Sequence, residues 1–269
     1  MLDRFNREIF YLRISVTDRC NLRCIYCMPP KGIKLKRAKE ILSYEKIIQI
    51  VREAAKLGIY KIRLTGGEPL IRKNITFLIS QLKAIEGIRE VSMTTNGVLL
   101  DPMAFELKEA GLDRLNISLD ALDPELYKYI TRGGDVNRVL AGIEAALEAG
   151  FKRTKINMVL LPGINIKCVP EMAAFCQKKN LELQRINHYF LDDHQSLHQA
   201  TYEAERPLPC SQCNRIRLTA DGKLKPCLFS DLEFSVTGKN ITDVLKKTIL
   251  NKPRYGLGCT TRGNWEIGG

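Results

Sequence analysis

Tyr11-Leu-Arg-Ile-Ser-Val-Thr-Asp-Arg-Cys20-Asn-Leu-Arg-Cys24-Ile-Tyr-Cys27 is the stretch on which the fold turns. Residues 11–16 read as a β-strand, and three cysteines spaced C-x3-C-x2-C follow it directly. Three thiolates can hold one iron–sulfur cluster while leaving its fourth iron without a protein ligand. An open metal position is what lets a substrate or cofactor coordinate. Zinc is the competing occupant, but a structural zinc site needs four ligands, and no fourth Cys or His lies nearby in sequence.

Working outward from this stretch, short β-type runs alternate with helical ones. Further strands are expected at residues 61–64, 90–94, 114–119, 155–160 and 181–186. Helices are expected at 43–57, 74–85, 101–111, 136–149 and 170–179. Ser43 suits an N-cap, Asp101-Pro102 a cap with a first-turn proline, and Gly58, Gly111 and Gly150 the helix ends. Six strands with helical crossovers predict an α/β fold, a partial (β/α)6 TIM-like barrel. In such a fold, chemistry gathers at the C-terminal ends of the strands. After about residue 190 the pattern fades, which predicts a barrel over 1–190 and a cysteine-bearing extension over 191–269.

The 269 residues, 45% hydrophobic and 27% charged, suit one large domain with a short appendage. No window approaches the roughly 18 apolar residues of a membrane span. The opening MLDRFNREIF lacks the apolar core of a secretory signal, so a cytoplasmic location is expected. A net charge of +12 suggests an anionic partner. The densest basic run, Lys31 to Lys39, holds no aromatic residue to stack on bases, which ranks nucleic acid below small phosphorylated ligands. Six of the nine cysteines fall in two tight sets, a distribution that favours metal over disulfides.

The second set is Cys210-Ser-Gln-Cys213, thirteen intervening residues, then Cys227. Spacing alone leaves half a zinc ribbon open here, with Cys259 as a fourth ligand. Arg215 and Arg217 stand two and four residues after Cys213, so an extended segment turns them to the side of that thiol. In Gly66-Gly67-Glu68-Pro69 the two glycines permit close backbone approach to a ligand, and Glu68 offers a carboxylate to an ammonium group.

The first cysteine set behind a first strand resembles the signature of the radical S-adenosylmethionine (SAM) superfamily. That resemblance implies that Gly66, Gly67 and Glu68 bind the amino group of SAM, and that the Tyr26 backbone meets its adenine. It also implies a SAM contact at Ser118, and at Tyr189, which stands where a methionine is expected. More narrowly, the segment from Cys210 to Phe229 is similar to the GTP 3′,8-cyclase family of molybdenum-cofactor biosynthesis. So are Tyr11-Leu-Arg13, Lys61-Ile-Arg63-Leu-Thr65, Thr94-Thr-Asn96-Gly97, Lys155-Ile-Asn157 and the terminal Ile267-Gly268-Gly269.

This family resemblance implies a lyase with two 4Fe–4S clusters. The cluster on Cys20, Cys24 and Cys27 reduces SAM to a 5′-deoxyadenosyl radical that abstracts hydrogen from C3′ of GTP. A cluster on Cys210, Cys213 and Cys227 binds the guanine. GTP contacts are implied at Arg13, Lys61, Arg63, Thr94, Lys155, Arg215 and Arg217, all read as placed at strand ends or beside the second cluster. Arg215, Arg217, Gly268 and Gly269 take part in catalysis. An external electron donor such as flavodoxin or ferredoxin is implied, and the oligomeric state is left open, a homodimer among the options.

The chain departs from the family after the sixth strand. It is shorter there, and where the family carries Arg-hydrophobe-Ile-Glu this chain has Gln184-Arg185-Ile186-Asn187-His188-Tyr189. Gln184 replaces the expected nucleotide-binding arginine, unless a one-residue shift puts Arg185 there. His188, His194 and His198 are either solvated loop residues or ligand and acid–base groups. Two alternatives stay open: a paralogue acting on another nucleotide or a peptide, and a zinc-stabilised basic protein that binds nucleic acid.

Overall fold

Six parallel strands form where the alternating pattern puts them: β1 (Tyr11–Ser15), β2 (Lys61–Thr65), β3 (Glu90–Thr95), β4 (Arg114–Ser118), β5 (Lys155–Leu160) and β6 (Glu182–Asn187). The computed structural model describes residues 1–192 and 203–267. The crossovers carry α1 (Tyr44–Lys56), α2 (Ile75–Lys83), α3 (Ala104–Glu109), α4 (Pro124–Thr131), α5 (Val136–Glu148) and α6 (Val169–Lys178). Ser43 caps α1 by accepting a hydrogen bond from the Lys46 amide, and Gly58 takes φ +86° just beyond it. Residues 101–103 form a separate 3-10 turn ahead of α3. The helix α4 was not foreseen. It starts on Asp123-Pro124, with the Asp123 carboxylate accepting from the Leu126 amide. Asp101, expected from sequence to cap, lies instead inside its 3-10 turn and makes no capping bond.

Side-chain alternation divides each strand between two environments. Leu12, Ile14, Ile62, Leu64, Val91, Met93, Leu115, Ile117, Ile156 and Met158 are fully buried in the hydrophobic core. The intervening Arg13, Arg63, Asn116, Asn157 and Gln184 line a cavity inside the barrel. Arg13 and Arg63 therefore occupy the middle of their strands, not the ends expected from sequence.

The regular pattern continues past residue 190. β7 (Arg215–Leu218) pairs in parallel with β1, and β8 (Lys223–Lys225) and β9 (Phe234–Ser235) follow antiparallel. The strand order is β6-β5-β4-β3-β2-β1-β7-β8-β9, an open sheet and hence a partial barrel. The boundary expected at 190/191 thus falls inside one continuous sheet, because these strands are too short and too basic to register as strands in sequence. Next come α7 (Ile241–Leu250), capped by Asn240, and α8 (Asn264–Ile267). Among the described residues no helix is long and apolar enough to cross a membrane.

Since β7 satisfies one edge of β1, ending the chain at residue 190 leaves that edge and the buried Arg13 unpaired on one side. Such a fragment is expected to lose the cooperative thermal unfolding transition of the full chain in a calorimetric scan. A fragment melting within a few degrees of full length contradicts this.

Candidate active site

Two cavities of about 180 Å³ each occupy the barrel, one at the C-terminal ends of the strands and one deeper. The upper cavity is lined by Cys20, Cys24 and Cys27 together with Tyr26, Gly66, Gly67, Glu68, Thr94, Ser118, His188 and Tyr189. The end of α4 holds the cysteine loop, because the Arg23 and Ile25 amides donate to the Thr131 and Ile130 carbonyls. Arg132 adds bonds from its guanidinium to the Arg23 and Met28 carbonyls. Tyr26 Oη donates to Asp120 Oδ2 at 2.8 Å, while Asp120 Oδ1 accepts from the Val159 amide. Asp120 and α4 are the supports that sequence reading missed.

The glycines do more than admit a ligand. A Cβ on Gly66, whose φ is +142°, would stand 2.4 Å from the Thr17 carbonyl oxygen, and one on Gly67 would stand 2.0 Å from that of Arg19. They let this loop lie against the backbone just before Cys20, through bonds from the Gly67 amide to Thr17 and the Glu68 amide to Arg19. Glu68 is buried and accepts from the Leu70 and Asn96 amides and the Thr95 hydroxyl. Burial outweighs those bonds and pushes its carboxyl up to about 7. A carboxylate in that position gains from an adjacent ammonium group. Burial likewise pushes the Cys20 thiol up to about 11 and Cys27 up to about 12, so their thiolates call for a cationic metal partner.

The deeper cavity is the basic one. Among the described residues its lining includes Arg13, Lys61, Arg63, Arg114, Lys155, Arg206, Arg215 and Arg217, with no Asp or Glu. Lys61 pairs with Glu90 at 2.9 Å and Lys155 pairs with Glu182, both carboxylates lying outside the lining. Lys61, Arg63 and Arg215 stand 5.5, 5.8 and 5.7 Å from the centre of the Tyr11 ring. Burial, with the neighbouring Arg217, Arg63 and Arg215, brings Arg13 down to about 9, a field that an anion relieves. Thr94 faces the upper cavity instead. Asn157, Ile186 and Tyr189 line both cavities and form the wall between them.

The second thiol set adjoins the basic cavity. Cys210, Cys213 and Cys227 line a space of about 90 Å³ together with Arg215, Arg217 and Lys252. The buried Lys252 ammonium donates to the Arg215 and Pro226 carbonyls at 2.8 and 2.7 Å. Burial raises the Cys213 thiol, but Lys252 and Arg215 outweigh it and bring it down to about 7. Lys252 follows α7 in a loop, with no sequence pattern to mark it. Cys259 lies buried among Leu191, Phe229 and Ile267, and does not line this space. Among the described residues no three His, Cys, Asp or Glu side chains converge as ligands of a single ion would. Thiolates bound to different irons of a cluster have no need to converge on one point.

The C-terminal segment reaches between the cavities. Asn264 lines the upper one, and Arg217 Nη1 donates to the Ile267 carbonyl at 3.3 Å. Arg262 anchors this end through Asp221, Glu233 and Glu266. Gly268, Gly269, His194 and His198 lie outside the described residues. His188 lines the upper cavity, where burial lowers its pKa and its ring meets Tyr26 edge-on.

Residues 14–176 match the family model described as the radical SAM superfamily. The curated GTP 3′,8-cyclase of Petrotoga mobilis is 40% identical, with 94% of this chain and 94% of that protein covered. The protein of the same name from Moorella thermoacetica is 42% identical, with 88% and 87% covered. Among solved structures, Streptococcus suis SuiB bound to S-adenosylmethionine aligns with a TM-score of 0.68 at 18% identity, covering 94% of this chain and 66% of that one. That last likeness concerns the fold, and it agrees with the partial barrel expected from sequence.

The contrast between Cys213 and the first thiol set is measurable in metal-free protein. Alkylation follows the thiolate fraction, so near pH 7 Cys213 should be labelled by iodoacetamide well before Cys20 or Cys27. Lys252→Met should slow Cys213 labelling by removing the charge that holds its pKa down. Equal rates at all three cysteines in mass-spectrometric mapping would contradict this assignment.

Proposed function

The chain belongs to the GTP 3′,8-cyclase family of the radical SAM superfamily, and from that premise we propose that it cyclises GTP using SAM and two 4Fe–4S clusters. The observation that carries this reading is the arginine-lined cavity, which runs from the second thiol set to a wall shared with the upper cavity. When bound, the first cluster and SAM supply the 5′-deoxyadenosyl radical that takes hydrogen from C3′ of the nucleotide. An external donor such as flavodoxin or ferredoxin provides the electron.

The side-chain positions support the following roles. Cys20, Cys24 and Cys27 would hold the cluster on a loop steadied by α4, and Asp120 fixes Tyr26, whose backbone would meet the adenine. Glu68 takes the SAM ammonium, with Ser118 and Tyr189 alongside it. In the deeper cavity Arg13, Arg63, Arg215 and Arg217 neutralise the triphosphate, and Lys61 and Lys155 stand at its rim. Cys210, Cys213 and Cys227 would hold the second cluster, whose open iron would take the guanine, and Lys252 stabilises the Cys213 thiolate. Arg217 also holds the Ile267 carbonyl, and Gly268 and Gly269, which follow it in sequence, are assigned a part in catalysis by the family resemblance.

Anaerobically purified protein is expected to carry about eight irons. Cys24→Ser should abolish release of 5′-deoxyadenosine, whereas Cys213→Ser should retain SAM cleavage and lose the GTP-derived product. About four irons, or cyclisation of GTP by Cys213→Ser, would overturn the second cluster. A protein that cleaves SAM and neither binds nor transforms GTP overturns the substrate.

Glu68 gives a pH test of the SAM site. Its carboxyl is raised to about 7 by burial, so below that pH it is protonated and exerts no pull on an ammonium. SAM affinity should therefore strengthen as pH rises through 7. In Glu68→Gln it should be about tenfold weaker and lack that step. A wild-type titration that stays flat across this range excludes Glu68 as the ammonium partner.

A further inference from the structure

Gln184 leaves a gap in the charge of the basic cavity. It lies on β6 facing the lumen, where its amide Nε2 donates to Asn157 Oδ1 at 2.8 Å. The neighbouring Arg185 does not fill the gap, because alternation turns it to the other face of the strand. There it forms a pair with Glu205, Nη2 to Oε1 at 2.6 Å. A one-residue shift of the family pattern is thereby ruled out for this chain.

A different arginine enters the same space. The segment before the second thiol set runs along the open edge of β6, with the Arg206 amide donating to the Arg185 carbonyl and the Asn187 amide donating to the Arg206 carbonyl. This pairing puts Glu205 outside with Arg185 and turns Arg206 inside with Gln184. Arg206 Nε donates to Gln184 Oε1 at 3.3 Å, and its guanidinium lines the cavity with Arg63 and Arg215. Its Nη1 is buried and has no hydrogen-bond partner among the described residues. A buried donor without a partner, set among like charges, is relieved by a multiply charged oxyanion.

Resting on the nucleotide reading above, we propose that Arg206 is a triphosphate-binding residue that supplies, from the neighbouring segment, the positive charge which the family resemblance implies on β6 and which Gln184 lacks. Burial depresses the Arg206 pKa, and Arg215 and Arg63 depress it further, consistent with a site that awaits an anion. Gln184 then acts as a positioning residue, holding the guanidinium by its Nε edge and leaving the Nη edge for phosphate oxygens. Only Pro207, Leu208 and Pro209 separate Arg206 from Cys210, so the phosphate grip and the second thiol set share one short segment.

The test is equilibrium binding by anaerobic calorimetry of the cluster-loaded protein, with GTP, guanosine and tripolyphosphate as probes. Arg206→Gln should weaken GTP and tripolyphosphate by about ten- to a hundredfold, and guanosine by no more than about twofold. Adding Gln184→Arg to that variant should restore both anions to within about threefold of wild type, while Arg185→Gln alone changes nothing. Unaltered SAM affinity and melting temperature show that the variants fold. Arg206→Gln binding both anions like wild type, losing guanosine equally, or resisting rescue by Gln184→Arg overturns the assignment. So does a wild type that binds neither anion. If wild type binds tripolyphosphate through Arg206 but shows no GTP binding, the cyclase reading falls and the role of Arg206 as an oligophosphate ligand stands.

Discussion

Three adjacent parallel strands carry Arg217, Arg13 and Arg63 at matching positions, and the rest of the structure answers to that row. Neighbouring strands lie about 4.8 Å apart, so the three guanidinium groups stand close enough to repel one another. The same strands turn Leu12, Ile14, Ile62, Leu64, Ile216 and Leu218 into the core. Burying one such side chain contributes about 1.5–3 kcal/mol, so the apolar face offsets the repulsion on the lumenal face. This also explains why arginine fills the row. A guanidinium is weakly hydrated and tolerates burial, whereas the two lysines of the cavity are each tied to a carboxylate at the start of a neighbouring strand.

The row exists only because the C-terminal segment returns to β1. Arg217 reaches it through β7, and that short strand also places Cys213 and the Lys252-bound Arg215 carbonyl beside the basic cavity. The thiols and the cations of the deeper site are thus set by one register of hydrogen bonds. At the upper site the equivalent support is the end of α4, which fixes the cysteine loop from below while the paired glycines let it close against the next loop.

How much of this was legible in sequence depended on the length over which a signal repeats. The six strands and five of the crossover helices show because apolar periodicity extends over many residues, with caps at Ser43 and Gly58 to punctuate it. The strands Arg-Ile-Arg-Leu and Lys-Leu-Lys are too brief to show a period, so their place in the sheet emerged only from pairing with β1. Both cysteine sets and Gly66-Gly67-Glu68 were readable because their chemistry is local. Lys252, Asp120 and Arg206 were not, since each acts on residues distant in sequence. The lumenal arginines were recognised as a group but placed at strand ends, because spacing gives no depth along a barrel axis.

The wall between the cavities accounts for how two sites of opposite electrical demand coexist. Above it, buried Glu68 favours a cation, and below it the arginines favour an anion. The shared residues Asn157, Ile186 and Tyr189 are uncharged. Asn157 is held by hydrogen bonds from Asn116 and Gln184, so its amide stays fixed without adding a charge to either side. An arginine at position 184 would sit directly against Asn157, bringing a full charge to the foot of the wall. With Gln184 in that place, a neutral amide meets Asn157, and Arg206 approaches from the strand edge behind it. The arrangement keeps charge for an anion below while leaving the field around Glu68 to be set by what binds above.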